Sequence, residues 1–260
     1  MKKLIIGAIV GDIIGSAYEW NNVKTTDFQL FGKRTDFTDD SVLTFATMDC
    51  ILHQSEYTIA YQSYARNYPQ RGYGGNFASW IQNDHPKPYN SWGNGSAMRV
   101  SPVGWAYDTL EEVQRKAENS VEVTHNHPEG IKGAQATASA IFLARNGSSK
   151  TEIKQYIKQT FNYNLDRTIE GIRPDFQFDE SCQGTVPEAI IAFLESVDFE
   201  SAIRLAISLG GDSDTIACIT GGIAEAFYQE IPESIIEKSL SFLPAELIQL
   251  TEEFSIKFRK

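Results

Sequence analysis

The sequence predicts an all-α protein, and three observations carry that prediction. Apolar residues recur at helical spacing along nearly the whole chain, no stretch keeps a persuasive period of two, and short turns punctuate roughly a dozen helical runs. With 260 residues, 42% of them hydrophobic, the chain can bury one large core. Neither an internal repeat nor a low-complexity linker divides it, so one domain over residues 1–260 is expected.

The first helix is expected over residues 3–18. Gly7, Ala8, Gly11, Gly15 and Ala17 give it a slim profile that permits close packing. Asp12 and Glu19 lie seven residues apart, two turns along roughly one face. By itself Asp12 reads as a buried, hydrogen-bonded acid or a support for a site, and Glu19 as a solvated helix end. Residues 21–37 form a polar and aromatic loop, long enough to be functional. Thr38-Asp39-Asp40-Ser41 then opens an apolar helix carrying Val42, Leu43, Phe45, Ala46, Met48, Cys50 and Ile51. A helix over residues 56–67, packing through Ile59, Tyr61, Tyr64 and Ala65, is broken at Pro69-Gln70-Arg71-Gly72. A short helix follows over residues 77–82.

Ser91-Trp92-Gly93-Asn94-Gly95-Ser96 places several backbone N–H groups ahead of a helix starting at Ala97, a turn able to hold an anion, with Trp92 able to stack on a base. Such turns are more often purely structural, so the motif is supportive only. Thr109-Leu110-Glu111-Glu112 has capping-box spacing and starts a helix to about residue 119. Thr124-His125-Asn126-His127-Pro128 is a loop; with no third His or Cys nearby it is not a transition-metal site, and one hydrogen-bonded and one exposed histidine are expected. Residues 131–145, rich in Gly and Ala, form a buried central helix, and residues 150–161 an amphipathic one. Pro187 fits the first position of a helix over 188–197. Residues 199–209 lead to a second acidic cluster, Pro232 starts a further helix, and the last is expected over 245–260.

The formal net charge is −11, with no Lys/Arg stripe, which argues against a duplex-DNA or anionic-membrane binder. Cys50, Cys182 and Cys218 are odd in number and widely spaced, so neither a disulfide framework nor a zinc site is expected; reduced thiols in a cytoplasmic protein are. Met1-Lys2-Lys3 and the apolar residues after it look like the start of a signal peptide, but Asp12 interrupts the run and no cleavage site follows. No run approaches the ~18 apolar residues a membrane span needs.

The second cluster is Gly210-Gly211-Asp212-Ser213-Asp214-Thr215, followed by the apolar run from Ile216 to Phe227. An N-cap needs one oxygen-bearing side chain; two acids at alternate positions exceed that need. If this helix start faces the one at Thr38-Asp39-Asp40, four carboxylates converge and resist ionisation together. Two divalent cations would balance them, and all-oxygen ligands select hard ions over zinc. The plain alternative is two acidic N-caps favoured by the helix dipole. Either cluster alone fits that alternative better, and the duplication tilts the balance towards metal.

Several stretches together resemble the ADP-ribosylglycohydrolase family: Gly11-Asp12-Ile13-Ile14-Gly15-Ser16-Ala17-Tyr18-Glu19, Thr38-Asp39-Asp40, Gly93-Asn94-Gly95-Ser96-Ala97-Met98-Arg99, Thr124-His125, Gly184-Thr185-Val186-Pro187 and Gly210-Gly211-Asp212-Ser213-Asp214-Thr215. They occur in family order and cover most of the chain. The resemblance implies an all-α orthogonal helical bundle with a two-metal centre, two Mg²⁺ or sometimes Mn²⁺. Thr38, Asp39 and Asp40 match one ligand set, and Asp212, Asp214 and Thr215 the other. Glu19 matches the acid near the scissile bond, Ser91, Trp92, Gly93, Asn94, Gly95 and Ser96 the stretch that holds ADP-ribose, and His125 a further substrate contact. Two departures stand out. Glu225 sits where relatives often have glycine, and the loop over 21–37 follows no particular subfamily, which leaves the leaving group open.

The reaction implied is hydrolysis at the anomeric carbon of an ADP-ribosyl group, through an oxocarbenium-like transition state. Glu19 could orient the sugar or handle a proton, and Asp39 or Asp40 could share the base role while ligating metal. Two other classes compete: a catalytically weak ADP-ribose-binding protein of the same fold, and a metal-dependent phosphohydrolase that cleaves the diphosphate. The presence of every ligand-type residue favours the hydrolase.

Overall fold

A computed structural model of the protein describes residues 4–259, and among them it contains helices and no strand. In chain order these are α1 (Gly7–Gly15), α2 (Asp39–His53), α3 (Tyr57–Asn67), α4 (Gly75–Ile81), α5 (Gly95–Met98), α6 (Ser101–Ala106), α7 (Leu110–Val121), α8 (Pro128–Arg145), α9 (Lys150–Phe161), α10 (Ile169–Ile172), α11 (Cys182–Glu195), α12 (Phe199–Ile207), α13 (Ser213–Tyr228), α14 (Glu233–Leu240) and α15 (Ala245–Phe258). No helix is long and apolar enough to cross a membrane. The starting and closing positions expected at Lys3 and Lys260 lie outside the described residues.

Helices α1 and α13 form the centre. Every residue of α1 is buried, as are residues 213–226 of α13. Their approach is set by glycine: a Cβ on Gly11 would stand 2.0 Å from the Ala217 carbonyl oxygen, and one on Gly15 2.5 Å from the Asp214 Cα. Only a helix face without side chains lets two backbones come this near. α12 and α11 pack on α13, α8 supports it from a further side, and α7 covers α8. Buried Ile, Val, Ala and Phe side chains fill the main core, and a smaller cluster around Tyr61, Phe77, Trp80 and Leu43 lies between α2, α3 and α4.

The first helix starts later than expected. The residues before Gly7 offer no Ser, Thr, Asp or Asn to cap it. Glu225 of α13 supplies the cap instead: its Oε2 accepts from Ile6 N at 3.0 Å and Gly7 N at 2.6 Å, and its Oε1 accepts from Arg259 Nη1 at 2.7 Å. Glu225 thus makes a polar contact that ties the start of α1 to Arg259, just after α15. α1 also ends earlier, at Gly15, so Glu19 lies in the turn beyond the helix rather than on its face.

Other boundaries shift for local reasons. α11 begins at Cys182, with Ser181 Oγ accepting from Gly184 N at 3.0 Å, which leaves Pro187 inside the helix rather than at its start. The cap at Ser181 satisfies an N–H of the first turn, and the helix runs on through Pro187, which donates no helical hydrogen bond. The helix expected from Ala97 is two short pieces, α5 and α6. Ile59 is 61% exposed, and Ala60 takes its packing role on α3. His127 is not an exposed histidine; its Nδ1 accepts from Glu129 N at 3.1 Å and caps α8. All three cysteines are buried and free.

Candidate active site

The two acidic helix starts meet. Thr38 is the N-cap of α2, its Oγ1 accepting from Asp40 N at 3.3 Å, and Asp212 precedes α13. Thr215 Oγ1 on α13 donates to Asp40 Oδ2 on α2 at 3.3 Å, across the gap between the helices. Carboxylate oxygens of Asp12, Asp40 and Asp214 lie within 4.8 Å of one another, and so do those of Glu19, Asp212 and Asp214. Asp214 belongs to both groups. Asp39 belongs to neither, although it lines the same cavity.

Asp12 is the acid whose place is least apparent in the sequence. Buried on α1, it accepts from Thr38 N at 3.0 Å, Thr38 Oγ1 at 2.7 Å, Ser41 N at 3.1 Å and Ser41 Oγ. It thereby holds the first turn of α2 against α1. Its apolar surroundings and lack of a basic neighbour were visible in the sequence; its partners were not.

These carboxylates are short of positive charge. Among the described residues no ion pair involves Asp12, Asp39, Asp40, Asp212 or Asp214. Arg71, which is near in sequence, pairs with Asp36 at 2.6 Å and stacks over Phe37. Asp40 Oδ1 and Asp214 Oδ1 are buried without a hydrogen-bond partner. Burial raises the pKa of Asp39, Asp40 and Asp214 well above the usual carboxylate range, with the neighbouring aspartates adding to it; Asp12 is raised to about 6, chiefly by burial. Buried oxygens without donors, in a cluster without cations, fit a group of hard metal ions, and these acids could hold them.

Glu19 faces the cluster from the turn after α1. Asn22 fixes that turn: its Nδ2 donates to the Glu19 carbonyl at 2.8 Å and the Gly211 carbonyl at 3.1 Å, and its Oδ1 accepts from Gly211 N at 2.8 Å. Gly210 and Gly211 both have positive φ, 70° and 69°, a conformation that favours glycine. The Glu19 carboxyl is raised to about 7, first by burial and then by the charge on Asp212. It can thus hold or release a proton near neutrality.

The opposite wall is the glycine turn. Ser91, Gly93, Asn94, Gly95 and His125 line the cavity, whereas Trp92 is half exposed and does not, and Ser96 is buried behind the turn, donating to the Gly130 carbonyl at 2.7 Å. Asn94 joins this wall to the acids, its Nδ2 donating to Asp212 Oδ2 at 2.6 Å and Thr185 Oγ1 at 3.0 Å. Thr38 stands behind Asp40 rather than on the wall. Leu43, Gly72, Gly74, Gly75, Asn76, Phe77, Tyr89, Met98, Arg99, Phe178 and Glu180 complete the cavity. None was singled out as a site residue from the sequence, and only Met98 and Arg99 lay within a motif quoted for the resemblance. Leu43 comes from α2 and Gly75, Asn76 and Phe77 from α4, while Gly72, Gly74, Tyr89, Phe178 and Glu180 come from the segments between helices.

Comparison with known proteins agrees with this geometry. The family model described as ADP-ribosylglycohydrolase matches residues 1–260. The chain is 28% identical to the ADP-ribosylhydrolase ARH3 of Mus musculus, over 90% of this chain and 85% of the relative. It is 27% identical to that of Homo sapiens, over 90% and 87%. A solved structure described as an ADP-ribosylglycohydrolase-related protein complex superposes with a TM-score of 0.74 at 22% identity, covering 97% of this chain and 95% of that one, which establishes the shared fold. From the match over its whole length and the acid cluster at the meeting of two helix starts, the chain belongs to the ADP-ribosylglycohydrolase family, and its activity is the hydrolytic removal of ADP-ribose.

Proposed function

We propose that this chain, as one domain over residues 1–260, cleaves the glycosidic bond between ADP-ribose and a modified acceptor with two Mg²⁺ ions, or Mn²⁺ in their place. Thr38, Asp39 and Asp40 would serve one ion and Asp212, Asp214 and Thr215 the other. The observation that carries this reading is the pair of buried, unpartnered oxygens, Asp40 Oδ1 and Asp214 Oδ1, on two helices joined across the gap by Thr215. All-oxygen donors of this kind suit hard cations. When bound, such ions lower the pKa of a water and orient the ribose hydroxyls.

The protein's own groups do the rest. Glu19, raised to about 7, handles the proton or orients the sugar at the scissile bond, and Asp39 or Asp40 shares the base role. The turn over residues 91–96, with His125 beside it, holds the ADP-ribose, and half-exposed Trp92 adds a flat surface at its edge. A strongly acidic chain with three buried thiols belongs in the cytoplasm and does not bind duplex nucleic acid. The acceptor is arginine, serine, another side chain, a nucleobase or a small metabolite.

A panel of these ADP-ribosylated acceptors, assayed with Mg²⁺, with Mn²⁺ and with chelator, tests the proposal. Release of intact ADP-ribose that stops on chelation is expected. Binding of ADP-ribose without release from any acceptor would instead support a reader, and a cleaved diphosphate, seen by mass, a phosphohydrolase.

A further inference from the structure

Arg99 is the one Lys or Arg side chain lining the cavity among the described residues, against carboxylates from Glu19, Asp39, Asp40, Glu180, Asp212 and Asp214. It is fully buried, and no described ion pair involves it. Its guanidinium carbon lies 4.4 Å from the Tyr61 ring centroid, and Nε and Nη1 have no hydrogen-bond partner. Its Nη2 donates to Thr124 Oγ1 at 2.7 Å, and that oxygen lies 2.7 Å from His125 Nδ1.

The direction of this chain is fixed by counting hydrogens. Thr124 Oγ1 carries one hydrogen, and the guanidinium can only donate to it. The hydroxyl hydrogen has two possible acceptors, His125 Nδ1 at 2.7 Å and the Val121 carbonyl at 3.4 Å. The Val121 carbonyl already accepts from Thr124 N at 3.0 Å and His125 N at 2.7 Å. Nδ1 is the nearer and uncontested acceptor, and assigning the hydrogen to it places the ring proton on Nε2. That nitrogen lies beside the glycine turn, 3.2 Å from where a Cβ on Gly95 would stand and 3.8 Å from one on Gly93.

We infer that Arg99 is a positioning residue which, through the Thr124 hydroxyl, holds His125 as the Nε2–H tautomer so that it donates to an anionic oxygen of the ADP-ribosyl diphosphate at the Gly93–Gly95 turn. The inference rests on the proposed substrate for its ligand, but the tautomer belongs to the protein alone. Burial, with the nearby Arg99 charge, pushes the His125 pKa well below its ordinary value, so the ring stays neutral and its donor is fixed by geometry. A neutral donor backed by a buried cation suits a diphosphate that must sit beside a wall of acids.

Nitrogen-15 NMR of histidine-labelled, ligand-free protein reports the tautomer, and titration with ADP-ribose reports affinity. Wild type is expected to show the Nε2–H form. Thr124→Val, which keeps the shape and removes the hydroxyl, is expected to lose that tautomer preference and weaken ADP-ribose binding by about tenfold. Thr124→Ser should restore both, which a merely structural role for the hydroxyl's neighbourhood would not predict for the tautomer. Arg99→Met should move the tautomer as Thr124→Val does, and the threonine pair decides the matter if that variant does not fold. An Nδ1–H form in wild type, or a Thr124→Val protein with unchanged tautomer and affinity, overturns the inference. Wild type that shows the Nε2–H form but does not bind ADP-ribose overturns the ligand and the proposed function together, and leaves the arginine–threonine–histidine arrangement standing.

Discussion

The two walls of the cavity are built on opposite electrostatic plans. On one side Asp12, Asp40, Asp212 and Asp214 crowd together with two oxygens left unpartnered. On the other, backbone groups of the Gly93–Gly95 turn and the neutral His125 stand in front of a single buried cation, Arg99. Asn94 touches both, since it sits in the turn and donates to Asp212. The lesson is that the acid wall is short of positive charge, whereas the glycine wall has a buried cation behind it. On the proposed reading, a diphosphate and a ribose held by metal ions would lie side by side without either wall opposing its own ligand.

Substitutions that affect one wall and spare the other sharpen that contrast. The largest effect is expected for Asp214→Asn, which removes the acid shared by both carboxylate groups. Turnover should fall about ten-thousandfold, and the rise in Tm on adding Mg²⁺ should vanish. In chelator at pH 8 the same variant should melt higher than wild type, because one like charge has left a buried cluster. A lower Tm in chelator would mean that Asp214 is held by partners rather than crowded by them.

Glu19→Gln comes next. It keeps the shape and removes the group raised to about 7, so turnover should drop about a thousandfold while the Mg²⁺-dependent rise in Tm persists. Full activity would take Glu19 out of the chemistry.

Gly95→Ala probes the other wall. Its Cβ would meet His125 Nε2 at 3.2 Å, so ADP-ribose affinity should fall by about tenfold with the metal-linked stabilisation unchanged. Loss of the metal effect in this variant would show that the two walls are not separable.

The smallest expected effect is one of pH. Folding raises the pKa of Asp12 to about 6 and those of Asp39, Asp40 and Asp214 further, so the folded state favours the protonated acids. Their contribution is fully present below about pH 4, near the unfolded value, and is lost as pH rises through the folded values. In chelator, Tm should therefore decline between pH 5 and pH 8 by a few degrees, roughly the scale of ~1 kcal/mol in a protein of this size. The gain from Mg²⁺, measured as the difference between paired melts, should widen over the same range. A gain that shrinks as pH rises would contradict a metal-holding acid wall.

Much of this was legible in the chain. The acid-rich helix starts, the small residues of α1 and the Gly-Asn-Gly turn are local patterns; the small residues signal close packing by themselves, and the acids point to metal only because the pattern occurs twice. Helix α9 was bounded correctly because Ser149 and Glu152 form a capping box within four residues. Where the cap came from afar the boundary moved: α1 starts at Gly7 because Glu225, 218 residues away, accepts its first N–H groups. Glu19 was assigned to a helix that ends before it, since nothing local shows that Asn22 and Gly211 would take over the chain there.

By itself the sequence determined an all-helical chain and supplied the residue types proposed for hard-ion and anion binding, because helix periodicity and capping chemistry act over a few residues. Only the tertiary structure decided that Asp12 clamps α2, that Asp39 stands apart from the two three-acid groups, and that Arg99 reaches His125 through Thr124. Those relations depend on how closely α1 and α13 approach and on which loops close over them. Such distances are set by packing among residues remote in sequence, and no local pattern encodes them.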